Sequence, residues 1–254
     1  MDSFNLYAKY YDLLYKDKDY DNEVSYIEQL LKPHNLQGNI KILELGCGTG
    51  NHAQIFSKKG YEVEGVDLSS QMIEIAKNKN KGDKNLSFFE GDITTYKSSS
   101  KTKFDVIISL FHVVSYQDTN QKIQNTFQTV QHHLKEGGLF IFDFWYGPGV
   151  LTDPPVVKEK KLEDKTLLVH RTATPVSDVN KNTVNVLFDI IITDKENNKK
   201  ELIEETHTMR YFFIPELKYM LDENGLDTEA YYHWMTLNKP TKSSWNVVVV
   251  AKKR

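Results

Sequence analysis

The chain has 254 residues, with 32 Lys+Arg against 35 Asp+Glu and a formal net charge of −3. Charges of both signs are interleaved along it, which argues against a dedicated binder of nucleic acid or another polyanion. A hydrophobic content of 39% and a charged content of 26%, with a mean hydropathy of −0.52, exclude the disordered, collagenous and membrane-spanning classes.

The first 15 residues mix acids with aromatics and carry neither a basic start nor a long apolar run, so no secretory signal is read there. Val24, Ile27, Leu30 and Leu31 fall at helical spacing before Pro33 and Gly38 break the stretch, which predicts a helix leading into a buried strand at 40–45. The pattern then repeats: a helix over 51–59 stopped by Gly60, a strand at 61–66, a helix over 70–78 and a strand at 86–89. Another strand is expected at 104–110. The next helix carries Ile123, Phe127, Val130 and Leu134 on one face, ends at Gly137-Gly138, and leads into a fifth strand at 139–142. Near-continuous apolar strands separated by amphipathic helices specify a parallel sheet covered on both faces, with ligands expected at the carboxyl ends of its strands.

Beyond Gly147-Pro148-Gly149 and Pro154-Pro155 the character changes. Segments 166–174, 183–194 and 201–213 are β-branched and partly alternating, and turn-rich stretches at 177–182 and 194–199 separate them. They predict an antiparallel insertion. Pro215 opens a helix with Leu217, Met220 and Leu221, Gly225 closes it, and strands at 226–234 and 245–251 are expected to complete the parallel sheet.

Directly after the first strand stands Glu44-Leu45-Gly46-Cys47-Gly48-Thr49-Gly50, opening a helix. Glycines at every second position let backbone pass close against a ligand, because a Cβ would occupy the ligand's space. The G-x-G-x-G spacing departs from the dinucleotide fingerprint G-x-G-x-x-G, so a pyrophosphate cradle is not the natural reading. Cys47 is the chain's single cysteine. It forbids an intrachain disulfide and a cysteine-built zinc site, and the expected compartment is the cytoplasm.

This stretch resembles the class I S-adenosylmethionine-dependent methyltransferases, closely over 40–144 and more loosely in the last two strands. The resemblance implies a Rossmann-like α/β fold: a seven-stranded, mostly parallel sheet with helices on both faces, to which the insertion adds an antiparallel sheet. It divides the chain into an N-terminal helical lid (1–38), a donor-binding core (39–150), a substrate-side insertion with a homodimer contact (151–213) and a completion of the core sheet (214–254).

The resemblance implies S-adenosyl-L-methionine as cofactor, held by Gly46, Cys47, Gly48 and Ser109. Asp67, ending the second strand, would accept from the ribose hydroxyls. Asp92 would accept from the adenine amino group, while Ile93, Leu68 and Met72 pack around the adenosyl moiety. Glu44 would orient the loop and approach the methionine ammonium, and His52 stands near the methionine portion. The run Tyr11-Asp12-Leu13-Leu14-Tyr15 resembles the lid of small-molecule members, with Tyr15 over the donor and Tyr11 toward the acceptor. It belongs to a tyrosine-rich segment that includes Tyr7, Tyr10, Tyr20 and Tyr26.

Methyl transfer is an in-line displacement that needs alignment in a desolvated pocket, and no metal is expected to take part. An amine acceptor must only arrive deprotonated, whereas a hydroxyl gains from a base. His112, beyond the fourth strand, is the candidate base. Tyr116 and Trp145 flank the same edge and suit a sugar ring.

The run Phe142-Asp143-Phe144-Trp145-Tyr146-Gly147-Pro148, followed by the insertion, resembles enzymes acting on nucleotide-linked amino sugars and glycan precursors. Arg210 is the expected partner for an acceptor phosphate or carboxylate. The expected activity is methylation of a hydroxyl or amino group on a small sugar-containing acceptor. The alternatives are a non-sugar metabolite or donor binding without turnover. A nicotinamide dehydrogenase would want the longer glycine spacing. A nucleic-acid methyltransferase is disfavoured by the charge and by Ser109-Leu110-Phe111-His112 in place of an N-P-P-Y type motif.

Overall fold

The computed structural model describes residues 10–36, 38–100 and 103–254. Tyr7, and with it the start of the expected lid, lies outside them. After a helical turn at 10–14 the elements run α1 (Tyr20–Leu31), β1 (Lys41–Leu45), α2 (Asn51–Lys58), β2 (Glu62–Asp67), α3 (Ser70–Lys79), β3 (Leu86–Glu90), β4 (Phe104–Ser109), α4 (Asn120–His133) and β5 (Leu134–Tyr146). Then follow α5 (Gly147–Thr152), β6 (Lys158–Glu163), β7 (Leu167–Asp178), β8 (Thr183–Asp194), β9 (Lys200–Phe212), α6 (Ile214–Asp222), β10 (Leu226–His233) and β11 (Asn246–Lys253).

Side-chain oxygens of Asp19, Ser69 and Thr119 accept from backbone N–H groups in the first turns of α1, α3 and α4. Each supplies a partner for an amide that no helix carbonyl can reach. Strands β3-β2-β1-β4-β5 pair in parallel, and β11 joins β5 antiparallel with β10 outside it. Both faces are covered. Leu43, Leu45, Ile107 and Phe140 face the α4 and α6 side, while Ile42, Val106, Ile108 and Ile141 face α1, α2 and α3. This is the expected Rossmann-like seven-stranded sheet.

The insertion joins that sheet through one strand. Trp145 of β5 is paired on both edges, with Asn246 of β11 and Tyr211 of β9. β9 therefore occupies the edge that β4 leaves at Ser109, whose partner is Phe142. The four antiparallel strands β9-β8-β7-β6 extend from there over the carboxyl ends of the core strands, the end where ligands bind.

Three local expectations differ from the structure. Helix α4 ends at His133, and Leu134 is already extended. Gly137 and Gly138 lie inside β5, which is 13 residues long. A Cβ on Gly138 would stand 3.0 Å from the carbonyl oxygen of Asp105, so this glycine marks a close approach to β4 at the irregularity between Phe104 and Val106. Strand β6, Lys158-Glu159-Lys160-Lys161-Leu162-Glu163, has no apolar alternation and, among the described residues, pairs only with β7. Its charges suit an edge strand that must not recruit another chain. The short helix α5 is a further element the sequence pattern does not announce.

Candidate active site

One cavity of about 640 Å³ runs from the glycine loop to the inserted sheet, within the size range of small-molecule sites. Gly46, Gly48 and Gly50 have φ of +79°, +53° and +78°, a region where L side chains are strained. Added Cβ atoms on Gly46 and Gly50 would meet Val113 at 2.5 Å and Phe88 at 2.7 Å. Close packing inside the protein, as well as ligand approach, therefore requires these two glycines. Gly48 faces the cavity, with the nearest atom to its added Cβ being the Tyr11 hydroxyl at 3.8 Å.

Asp67 stands at the carboxyl end of β2, its Oδ2 accepting from the Gly48 amide at 2.8 Å and its Oδ1 from the Ser69 amide at 2.9 Å. Burial raises its carboxyl above the usual value; those two amides oppose the shift and nearby Glu44 adds to it. Hydroxyl donors from a ligand would favour the ionised form. Leu68, half exposed, and Ile93 line the cavity. Met72 does too, while packing against Tyr10 and Leu14. Asp92 is exposed, lines the cavity, and accepts from the Thr94 amide at 2.8 Å. Cys47 also lines it; burial pushes its thiol up, which keeps it protonated.

Glu44 lies behind the loop. Its Oε1 is 3.4 Å from His52 Nδ1, and its buried Oε2 has no hydrogen-bond partner. An orphaned carboxylate oxygen under a glycine loop is costly unless a cation meets it. The ammonium of an adenosyl amino acid fits that demand, as ribose hydroxyls fit Asp67. His52 is buried, and its Nε2 lies 2.7 Å from Glu23 Oε2 of α1. Burial alone would lower its pKa; the hydrogen bonds it donates to Glu23 and Glu44 outweigh burial and raise it above 6.5.

His52 thus ties α1 to the glycine-loop helix as an imidazolium between two carboxylates. A raised folded value means that its stabilisation is complete below about pH 6.5 and is lost as pH rises through the folded pKa. The stability difference between wild type and His52→Gln is therefore expected to be larger near pH 6 than near pH 9. Thermal unfolding at the two pH values checks it, and a difference that grows with pH would contradict the charged bridge.

At the end of β4, Phe111 and His112 both have positive φ, +65° and +63°. This left-handed pair costs roughly 1–2 kcal/mol per residue, so the surroundings must hold it. Asp143 of β5, 1% exposed, does so: its Oδ1 accepts from the His112 amide at 3.1 Å. Its Oδ2 lies 2.6 Å from His112 Nδ1, an ion-pair contact whose angles fall short of a hydrogen bond. A carboxylate at Nδ1 favours the proton there and leaves Nε2 as the basic nitrogen. His112 lines the cavity beside Trp145, ring centroids 6.4 Å apart.

The N-terminal segment covers this region. Tyr15 lies 4.9 Å from the rings of Tyr11 and Phe111, and all three line the cavity. Tyr116, in the turn after β4, has its hydroxyl 2.9 Å from Nδ1 of His207 on the inserted sheet, whose Nε2 is 3.3 Å from Glu205. His112 is therefore joined at this edge by a second histidine.

Three expected site residues do not line the cavity: Glu44, which is buried behind the glycine loop, Ser109 and Arg210. Ser109 is fully buried and donates to the Leu45 carbonyl at 3.0 Å, tying β4 to β1. Arg210 turns away, its guanidinium bonded to Glu216 of α6 and stacked 4.7 Å over Phe212. Its charge is already matched, which removes the basis for an acceptor anion there. Asp143, Arg171, Phe188 and His207 were not anticipated. An acid inside the apolar run Phe142-Asp143-Phe144 was a usable signal for the first, since such a group needs a partner.

A family model described as a methyltransferase domain matches residues 42–138, from β1 into β5. The chain is 28% identical over 255 residues to an inferred methyltransferase of Geobacillus sp. (strain WCH70), covering 99% of this chain and 100% of the relative. It is 28% identical over 149 residues to the dTDP-3-amino-3,4,6-trideoxy-alpha-D-glucopyranose N,N-dimethyltransferase of Streptomyces venezuelae, covering 58% and 60%. The crystal structure of an S-adenosylmethionine-dependent methyltransferase from Clostridium acetobutylicum ATCC 824 superposes with a TM-score of 0.80 at 24% identity, over 98% of each chain.

Proposed function

We propose that the chain is a class I S-adenosylmethionine-dependent methyltransferase that methylates a hydroxyl or amino group of a small sugar-containing acceptor, a nucleotide-linked sugar or glycan precursor. One observation carries this reading: the glycine loop and the inserted sheet share a single cavity, with His112 on its wall. Trp145, Tyr116 and Phe188 give that cavity apolar rings, and His112, His207 and Gln117 give it polar groups. Rings interleaved with hydrogen-bonding groups suit a sugar. The Streptomyces venezuelae relative, named for an amino-sugar substrate, supports the same class.

When bound, S-adenosylmethionine supplies a methyl group on a sulfonium for in-line displacement. Asp67 would hold the ribose hydroxyls, and Glu44, buried behind the glycine loop with an unpartnered Oε2, would offset the charge of the ammonium. Tyr11, Tyr15 and Phe111 cover the cavity and exclude water, which strengthens every charge interaction inside it. His112 takes the proton of a hydroxyl acceptor at Nε2, and Asp143 holds the imidazole for that step. For an amine acceptor His112 acts as an orienting hydrogen-bond partner.

The reaction belongs to the cytoplasm in this reading; among the described residues no helix is long and apolar enough to cross a membrane. Exposed Leu168, Leu187, Ile191 and Leu202 on the outer face of the inserted sheet suit a homodimer contact. Incubation with methyl-labelled donor and a panel of nucleotide-linked amino sugars, with their hydroxyl counterparts, is expected to label at least one acceptor. Labelling of none, with tight S-adenosylhomocysteine binding intact, would transfer the assignment to a non-sugar metabolite.

A further inference from the structure

The register of the outer strands places Lys160 of β6 directly opposite Arg171 of β7, and Lys158 opposite Ala173. Alternation along a strand puts Lys158, Lys160 and Arg171 on one face of the insertion. That face lines the cavity through Ala173, Phe188 and His207, and Lys158 and Arg171 line it themselves. The Lys160 ammonium lies 5.9 Å over the ring of Tyr15, another wall of the same cavity.

Like charges directly opposite on neighbouring strands destabilise a sheet. Many other cations in the chain are matched by an acid: Lys122 by Asp118, Lys195 by Glu163, Arg210 by Glu216. Among the described residues, Lys158, Lys160 and Arg171 have no ion pair. Arg171 Nε is buried without a hydrogen-bond partner, and its guanidinium stacks 4.8 Å over Phe188. Stacking occupies the guanidinium face and leaves its in-plane N–H groups for a planar or tetrahedral oxyanion. Glu205, which shares this face, meets His207 through Oε2 at 3.3 Å, while its buried Oε1 has no hydrogen-bond partner.

We propose that Lys158, Lys160 and Arg171 form a subsite for an oxyanion carried by the acceptor, a phosphate or a carboxylate, with Arg171 as its principal contact. The subsite rests on the reading of the cavity as the acceptor site. It replaces Arg210 as the place where acceptor charge is read, and it selects anionic acceptors over neutral ones of the same ring.

The test needs no turnover. The full chain, saturated with S-adenosylhomocysteine, is titrated calorimetrically with inorganic pyrophosphate, dTDP and glutarate at about 0.15 M salt, where exposed charges are largely screened. At least one probe is expected to bind. Arg171→Gln weakens it about tenfold or more through loss of a charge-assisted contact, and Lys158→Gln weakens it roughly two- to fivefold. Lys181→Gln, removing a cation in the β7–β8 turn with 76% of its side chain exposed, leaves it unchanged. Preference for pyrophosphate or dTDP assigns a phosphate, and preference for glutarate assigns a carboxylate. Equal affinity in wild type and Arg171→Gln, no binding by any probe, or an equal loss in Lys181→Gln overturns the subsite. S-adenosylhomocysteine binding is unaffected by Arg171→Gln, so failure of the subsite is distinguishable from failure of the donor site.

Discussion

Asp67→Ala weakens S-adenosylhomocysteine binding by about 1–3 kcal/mol, the usual size of hydrogen bonds to a charged group. Two losses combine. The carboxylate no longer accepts from ribose hydroxyls, and the Gly48 amide, 2.8 Å from Oδ2, loses the acceptor that fixes the glycine loop. The pH dependence separates this from a general loosening. Binding favours the ionised carboxyl, whose value burial holds above 3.8, so wild-type affinity falls as pH is lowered through that value. The alanine variant loses this dependence. Calorimetry across the acid range measures both, and unchanged affinity at neutral pH would remove Asp67 from the ribose.

His112→Ala lowers turnover of a hydroxyl acceptor by about 10²-fold or more, the range of a removed general base, with donor affinity close to wild type. The geometry supports so large an effect because the imidazole is held by an arrangement that costs stability: two successive left-handed residues, Phe111 and His112, braced on the buried Asp143. Strain of this kind persists where surrounding contacts over-determine it and clusters at functional sites. Asp143→Asn keeps the shape, removes the charge beside Nδ1, and is expected to reduce kcat more than KM. In His112→Ala the pH–rate profile loses the low-pH limb that an imidazole base imposes, a change that a packing role would not produce. Near-normal rates would mean an amine acceptor aligned by proximity alone.

The sheet order was legible because each core strand is a short apolar run closed by local punctuation. Gly60 and Gly225 have φ of +94° and +71°, and both end helices where expected. The glycine loop was legible for the same reason, as its special backbone is set by the residues that adopt it. At Gly137-Gly138 the rule failed. There Gly138 serves a close strand–strand approach to Asp105, a residue far away in sequence, while Gly137 takes a left-handed backbone with φ of +73° inside the strand. Strand β6 escaped notice because five of its six residues are exposed and it carries no apolar alternation, while its charges suit an unpaired edge.

Side-chain partnerships divide along the same line. The chain by itself determined the alternating strand–helix order, the donor loop and the acid at the end of β2, since periodicity and backbone conformation are written within a few neighbouring residues. Which charges would be spent on one another was decided by the tertiary structure. His112 finds Asp143 31 residues away, and Tyr116 finds His207 91 residues away. Arg210 is neutralised by Glu216 while Arg171 is left facing the cavity. Pairing depends on distance and burial in three dimensions, and a carboxylate or guanidinium looks the same in sequence whether it meets a partner or a ligand.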